Sequence, residues 1–219
     1  MRNEARGLNG GGGIFNIDST ATLTNSTVAY NWASDTDGGG IWNGMTLALA
    51  NVTLSGNTAQ ARGGGLFINF GSTATLTHTT VTFNEAVLGT GGGLYQKEQT
   101  AVTLRNSIVS DNTGENCAGL GTATSANYNL DSDGTCQLAG TGDLALTDPL
   151  LGPLQDNGGH TDTHALLIGS PAANAIPPGD CPLPTDQRGV TRPQGPACDM
   201  GAYEAVWAQI YLPIVLKDL

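Results

Sequence analysis

Four triple-glycine runs restrict what this chain can fold into more than any other feature. They begin at Gly11, Gly38, Gly63 and Gly91, in steps of 27, 25 and 28 residues. Each run leads into an aliphatic residue and then an aromatic one: Ile14-Phe15, Ile41-Trp42, Leu66-Phe67 and Leu94-Tyr95. Two further registers keep step with the glycines. Leu23, Leu49, Leu76 and Leu104 are each followed two residues later by Asn25, Asn51, His78 and Asn106, and a second polar row runs through Asn31, Asn57, Asn84 and Asn112. Between these markers apolar and small polar residues alternate with period two, as in Ala21-Thr22-Leu23-Thr24, which is the pattern of a half-buried strand. A unit of this length cannot bury its own apolar side. Stacked turn on turn, such units form one continuous core.

The repeat therefore predicts an all-β chain, a right-handed parallel β-helix (β-solenoid) of about five coils, right-handed because parallel crossovers are. Leu23, Leu49, Leu76 and Leu104 are expected in one inward row, with Ile14, Ile41, Leu66 and Leu94 in another. Val28, Val52 or Leu54, Val81 and Ile108 are expected in a third. The rows Asn25, Asn51, Asn106 and Asn31, Asn57, Asn84, Asn112 read as ladders at corners, where a side-chain amide can bond the backbone and the amide of the next coil. His78 interrupts the first of these. The glycines suit corners that need positive φ or a backbone approach too close for a Cβ.

Residues 1–147 read as the coils, the first incomplete and 115–147 degenerate. Residues 148–219 read as an irregular cap with an apolar tail, since nine of the ten prolines lie between Pro149 and Pro196. The expected place of the cap is over the last coil, where it would cover an open β edge. The tail segment Ile210–Lys217 is β-prone and could add an edge strand. Four cysteines fall in two local pairs, Cys117 with Cys136 and Cys181 with Cys198, and neither pair has zinc-site spacing. Two disulfides stapling the cap region and an oxidising compartment follow.

Charged residues are only 12% of the chain, the formal net charge is -11, and there are eight Lys and Arg in all. Nucleic acid is excluded as a partner, because phosphate binding needs clustered cations. The longest apolar stretch, Ala205–Leu216, is too short for a membrane span. The N-terminus has no signal-peptide pattern.

The GGGI and GGGL runs, with the Tyr30-Asn31 and Phe83-Asn84 endings, resemble the repeats of polymorphic outer-membrane proteins and, more broadly, right-handed parallel β-helix repeat proteins of the pectin-lyase-like kind. The C-terminal third resembles the bacterial choice-of-anchor Q domain, in Asp148-Pro149-Leu150-Leu151-Gly152-Pro153-Leu154, Asp156-Asn157-Gly158-Gly159-His160-Thr161, Thr185-Asp186-Gln187-Arg188-Gly189 and Cys198-Asp199-Met200-Gly201-Ala202-Tyr203-Glu204. These resemblances imply the fold and an extracellular or cell-surface location in a bacterium. They bring no catalytic residues with them.

Several residues invite a chemical reading. Phe15, Trp42, Phe67 and Tyr95 lie one position from an inward row, so they should face outward, where stacked rings could bind sugars or simply support one another. Threonine columns at Thr22, Thr75 and Thr103, and at Thr24 and Thr77, are interrupted by Ala48, Ala50 and Arg105, so a regular ice-binding array is absent. His160, Asp162 and His164 lack the helix and glutamate of a zinc-protease motif. Carboxylates at Asp35, Asp37, Asp111, Glu115, Asp131 and Asp133 fall at corners. On this scaffold such groups could serve a polysaccharide lyase or glycoside hydrolase, and Asp131-Ser132-Asp133-Gly134 hints at a structural calcium. Asp186, Arg188, Arg192 and Asp199 read as an ion-pair network holding the cap. The glycosylation sequons at Asn25 and Asn51 coincide with a ladder and read as structural. The leading expectation is a non-enzymatic secreted or cell-surface module, structural, adhesin-like or self-assembling by coil-to-coil stacking, with no cofactor. A carbohydrate-active enzyme and a glycan-binding module are the alternatives.

Overall fold

The computed structural model describes residues 3–6 and 10–206; the tail segment 210–217 lies outside the described residues. The chain is a parallel β-solenoid of about four turns and a shortened fifth. Each turn passes through three sheets. The first sheet stacks Ile14–Asn16, Ile41–Asn43, Leu66–Ile68, Leu94–Gln96 and Cys117–Gly119. The second begins with Thr20–Ala29 and Thr46–Ser55 and continues through Thr73–Thr77, Thr80–Thr82, Ala101–Arg105 and Ile108–Ser110 into the fifth turn. The third holds the short strands Glu4–Ala5, Trp32–Ala33, Thr58–Ala59 and Glu85–Ala86.

The expected registers are met. Leu23 pairs with Leu49, Leu49 with Leu76 and Leu76 with Leu104. Ile14, Ile41, Leu66 and Leu94 follow one another in the first sheet, and the column ends at Cys117. The third inward column is Val28, Leu54, Val81 and Val109. Ile108 is not in it. It aligns with Thr80 and Thr53 and faces outward, because Val109 is the residue three past the left-handed corner Asn106, as Val28, Leu54 and Val81 are three past Asn25, Asn51 and His78.

The corners are left-handed residues. Asn25, Asn51, His78 and Asn106 have φ between 46° and 54°, a conformation that asparagine tolerates better than most residues. In the glycine runs, Gly38, Gly63 and Gly91 take positive φ, and the next two glycines meet the neighbouring turn. A Cβ on Gly40 would lie 2.5 Å from the Gly65 carbonyl oxygen, so no other residue fits there.

The C-terminal region is not where the sequence suggested. Residues 148–206 run along the flank of the solenoid instead of closing its end. The hairpin of Leu151–Gln155 with Thr163–Leu166 places His164 against Ser55 of the second turn. Gln187 reaches Thr27 and Thr53, the Ala202 amide donates to Thr80 Oγ1, and the Asp180 carbonyl accepts from Asn106. The physical reason is visible in the outward column. Ile108 and Leu130 would otherwise be apolar residues in water, and they pack with Leu166, Ala172, Ile176 and Met200 into a second core. The disulfides Cys117–Cys136 and Cys181–Cys198 both form, the first within the last turn and the second inside the flank.

Candidate functional site

The aromatic residues stack along the first sheet as expected. Ring centroids are 4.7 Å apart for Phe15 and Trp42, 6.1 Å for Trp42 and Phe67, and 5.6 Å for Phe67 and Tyr95. They are not equally accessible. Phe15 is 41% exposed, whereas Phe67 is 1% exposed. Arg62 lies over Phe67 and Tyr95, and Lys97 lies near the Phe67 ring as well. Two cations over ring faces stabilise the strip and leave Phe15 and Trp42 as its open end. Arg62 is also fixed by Asp37, with Nε and Nη2 each 3.0 Å from a carboxylate oxygen. A turn apart in sequence is next-door in space, which is how Asp37 finds its cation.

The Asn31 row forms one continuous chain of amides. Asn3 donates to Asn31, Asn31 to Asn57, Asn57 to Asn84, Asn84 to Asn112 and Asn112 to Asn116, all between 2.9 and 3.1 Å. Every Nδ2 points the same way, and Asn116 donates the last bond to Asp131 at 2.8 Å. Asp131 stands in register with Val109 and is fully buried. Burial raises its carboxyl above the ordinary range, opposed by the bonds from Asn116 and the Cys136 amide. Asp133 is partly desolvated, but bonds from the Thr135 hydroxyl and amide and from the Asn116 amide outweigh that and lower it. The two carboxylates proposed for calcium thus close the ladder and the last turn. Among the described residues no three His, Cys, Asp or Glu side chains gather into a metal-sized group.

The Asn25 row behaves differently. Asn51 donates to Asn25, and Asn106 meets His78 Nε2 at 3.0 Å. The row then turns outward, with Asn51 donating to the Thr185 carbonyl and Asn106 to that of Asp180. At the Asn51 sequon the side chain is buried and bonded, while Asn25 is exposed. His78 is fully buried, and desolvation first, with Arg192 second, holds it well below its usual value.

The flank carries its own buried charges. Asp186 pairs with Arg188 at 2.7 Å and Arg192 with Glu204 at 2.7 Å, all four side chains at most 5% exposed. Asp199 takes amides from Asn174 and Ala205, and burial pushes it up to about 6. Arg188 also stacks on Tyr203. This is the network that Asp186, Arg188, Arg192 and Asp199 suggested. His164 is buried between Ser55 and the Gly152 carbonyl, whereas His160 and Asp162 are exposed. Burial lowers the His164 pKa.

Sequence reasoning missed several members. Asn16 and Asn43 form a third ladder at 2.7 Å; their signal was the Asn two residues past each aliphatic of the first two runs. Asn116 escaped notice because the shortened turn brings it in after four residues instead of 28. Gln187 carries no local signal, since Thr53 and Thr27 are 134 and 160 residues away, and Glu204, which pairs with Arg192 only 12 residues away, was passed over. Among the described residues, no helix is long and apolar enough to cross a membrane. No family model, no curated protein and no solved structure matches this chain.

Proposed function

We propose that the chain is a non-enzymatic, secreted or cell-surface module of a bacterium, a stiff rod that presents or spaces what is attached to it. The observation that carries this reading is the unbroken amide chain from Asn3 to Asp131 beside three inward columns. Each turn meets the buried polar groups of the next, so bending the rod would strip hydrogen bonds at low dielectric. Of the corner carboxylates, Asp37 is held by Arg62, and Asp131 and Asp133 are held within the last turn; in the flank, Asp186 and Glu204 are paired with arginines. Two disulfides fit an oxidising compartment. The likeness to outer-membrane repeats and to choice-of-anchor domains supports the surface location.

Self-association belongs to the same reading. The strand Thr20–Ala29 has a neighbour on one side only among the described residues, and it contains neither charge nor proline to guard that edge. A panel of polysaccharides scored for released reducing ends, run beside sedimentation velocity, tests the proposal. No release and a mass that rises with concentration are expected. Release above the no-protein control overturns it. A second reading, glycan binding without cleavage, is favoured by the exposed Phe15–Trp42 end of the strip, and loss of glycan-array signal in Trp42→Ala is its test.

A further inference from the structure

The left-handed corners at Asn25, Asn51, His78 and Asn106 divide the second sheet into two halves, and the halves present different surfaces. Before the corners, three side chains per turn face outward, opposite the inward leucine column. The first and third turns each present three threonines, Thr20, Thr22, Thr24 and Thr73, Thr75, Thr77. The second presents Thr46 with Ala48 and Ala50, and the fourth Ala101, Thr103 and Arg105. Turn follows turn in register without a bulge, and Thr124 carries the middle column into the fifth. The two threonine columns counted in the sequence thus have a third beside them, through Thr20, Thr46 and Thr73.

Over four turns this makes a grid of twelve positions, of which eight are threonine and three alanine. Its repeats are about 4.8 Å from turn to turn and about 6.6 Å between outward side chains along a strand. Stacking and side-chain ladders keep a sheet flat, and the asparagine rows supply such ladders. Threonine is stiff at χ1, so hydroxyls and methyls hold their places. Among the described residues none of the eight hydroxyls bonds another protein group. Past the corners the threonines are engaged by the flank: Thr27 donates to the Asp162 carbonyl and Thr53 to Gln187, and Thr80 accepts from the Ala202 amide. The flank covers one half and leaves the other bare.

Charge narrows the partner. On a chain of net charge -11 the grid holds no carboxylate, and its one ion, Arg105, lies at the lower corner. A charged partner finds almost nothing to pair with, and a flat grid gives a flexible chain no cleft to enter. The complement is a neutral, rigid solid that repeats in two directions and exchanges hydrogen bonds. Water oxygens on a face of ice repeat close to both spacings. Ala48 and Ala50 remove two hydroxyls and keep the methyl and the plane.

We propose that this face binds ice, with the methyls ordering water between the turns and the hydroxyls joining the lattice. The face is separate from the amide chain and from the aromatic strip, so this binding and the functions proposed for those can fail independently.

Slow growth of an ice front through a solution of the full chain tests it, reading the share of protein taken into the ice against serum albumin as the excluded control. The chain is expected in the ice, and it should slow recrystallisation in frozen sucrose. Thr75→Lys places a long charged side chain mid-grid, where Thr75 is exposed and unbonded, and should abolish both effects with an unchanged melt. Thr22→Lys, in the first turn, should do the same and stands in should Thr75→Lys fold poorly. Thr90→Lys, at an exposed threonine beside a glycine run, should leave both effects intact, and Ala48→Thr with Ala50→Thr should strengthen them. Exclusion of the unaltered chain from ice alongside albumin overturns the proposal, as does uptake of Thr75→Lys and Thr22→Lys equal to that of Thr90→Lys. Attachment to crystalline cellulose without uptake into ice also overturns it and assigns the face to a polysaccharide.

Discussion

Replacing Asn57 by leucine tests whether the amide chain is a main support of the fold. Asn57 is fully buried and makes four side-chain bonds. Its Oδ1 accepts from the Asn31 amide at 3.1 Å and from Asn31 Nδ2 at 3.0 Å, and its Nδ2 donates to the Val28 carbonyl and to Asn84 Oδ1, each at 2.9 Å. Leucine has similar size and no polar atoms. Asn84 Oδ1 keeps a donor, because the Asn57 backbone amide still reaches it at 3.0 Å. The Asn31 amide, Asn31 Nδ2 and the Val28 carbonyl each lose a partner. A buried polar group stripped of its partner costs about 1–3 kcal/mol. Taking the low end for each, and subtracting roughly 1 kcal/mol for the added apolar burial, leaves a net loss of about 2–3 kcal/mol. For a chain of this size that corresponds to a fall in Tm of roughly 4–12 °C. Urea unfolding followed by far-ultraviolet circular dichroism measures it, with Asn25→Gly as control. Asn25 is exposed, its Oδ1 accepts one bond from Asn51, and glycine tolerates its positive φ. The control should lose no more than about 1 kcal/mol. If Asn57→Leu costs no more than Asn25→Gly, the ladder is ornament and the hydrophobic columns alone hold the turns together.

Three other perturbations separate the parts of the molecule. Burial keeps His78 and His164 neutral in the folded chain, so the unfolded chain takes up protons first as pH falls below about 6.5, and the stability tied to the neutral rings drains away below that point. His78→Asn, which matches the left-handed asparagines above and below it, should make the acid limb of Tm against pH shallower; an unchanged slope contradicts this account. Serine at both Cys181 and Cys198 should cost roughly 3 kcal/mol and expose the flank to limited proteolysis while the solenoid keeps its β signature, and simultaneous loss of both would show that flank and solenoid fold as one unit. Leu76→Ala, in the central column, should lose about 2–5 kcal/mol across the whole melt, whereas Ile108→Ala should loosen the flank first, as read by cleavage within 148–206.

The solenoid was legible because its information is periodic. Leu23, Leu49, Leu76 and Leu104 could be aligned by eye, and so could the glycines whose Cβ atoms have no room. What escaped was whatever depends on a one-residue choice or on distant partners. Ile108 and Val109 are both aliphatic, and only counting three residues from each left-handed corner, as from Asn25 to Val28, decides which faces in. The course of 148–206 was hidden because its contacts, such as Gln187 with Thr53, join residues 134 positions apart with no repeat to announce them.

The one-way sense of the amide chain has a consequence for how such a rod can lengthen. An asparagine both takes and gives, so a duplicated turn can slip in anywhere between Asn31 and Asn112 and pass the pattern on. Asp131 only takes. An ionised carboxylate has no hydrogen to hand downward, so the series stops there by chemistry, and any growth of this molecule by copying its own turns must happen above that residue.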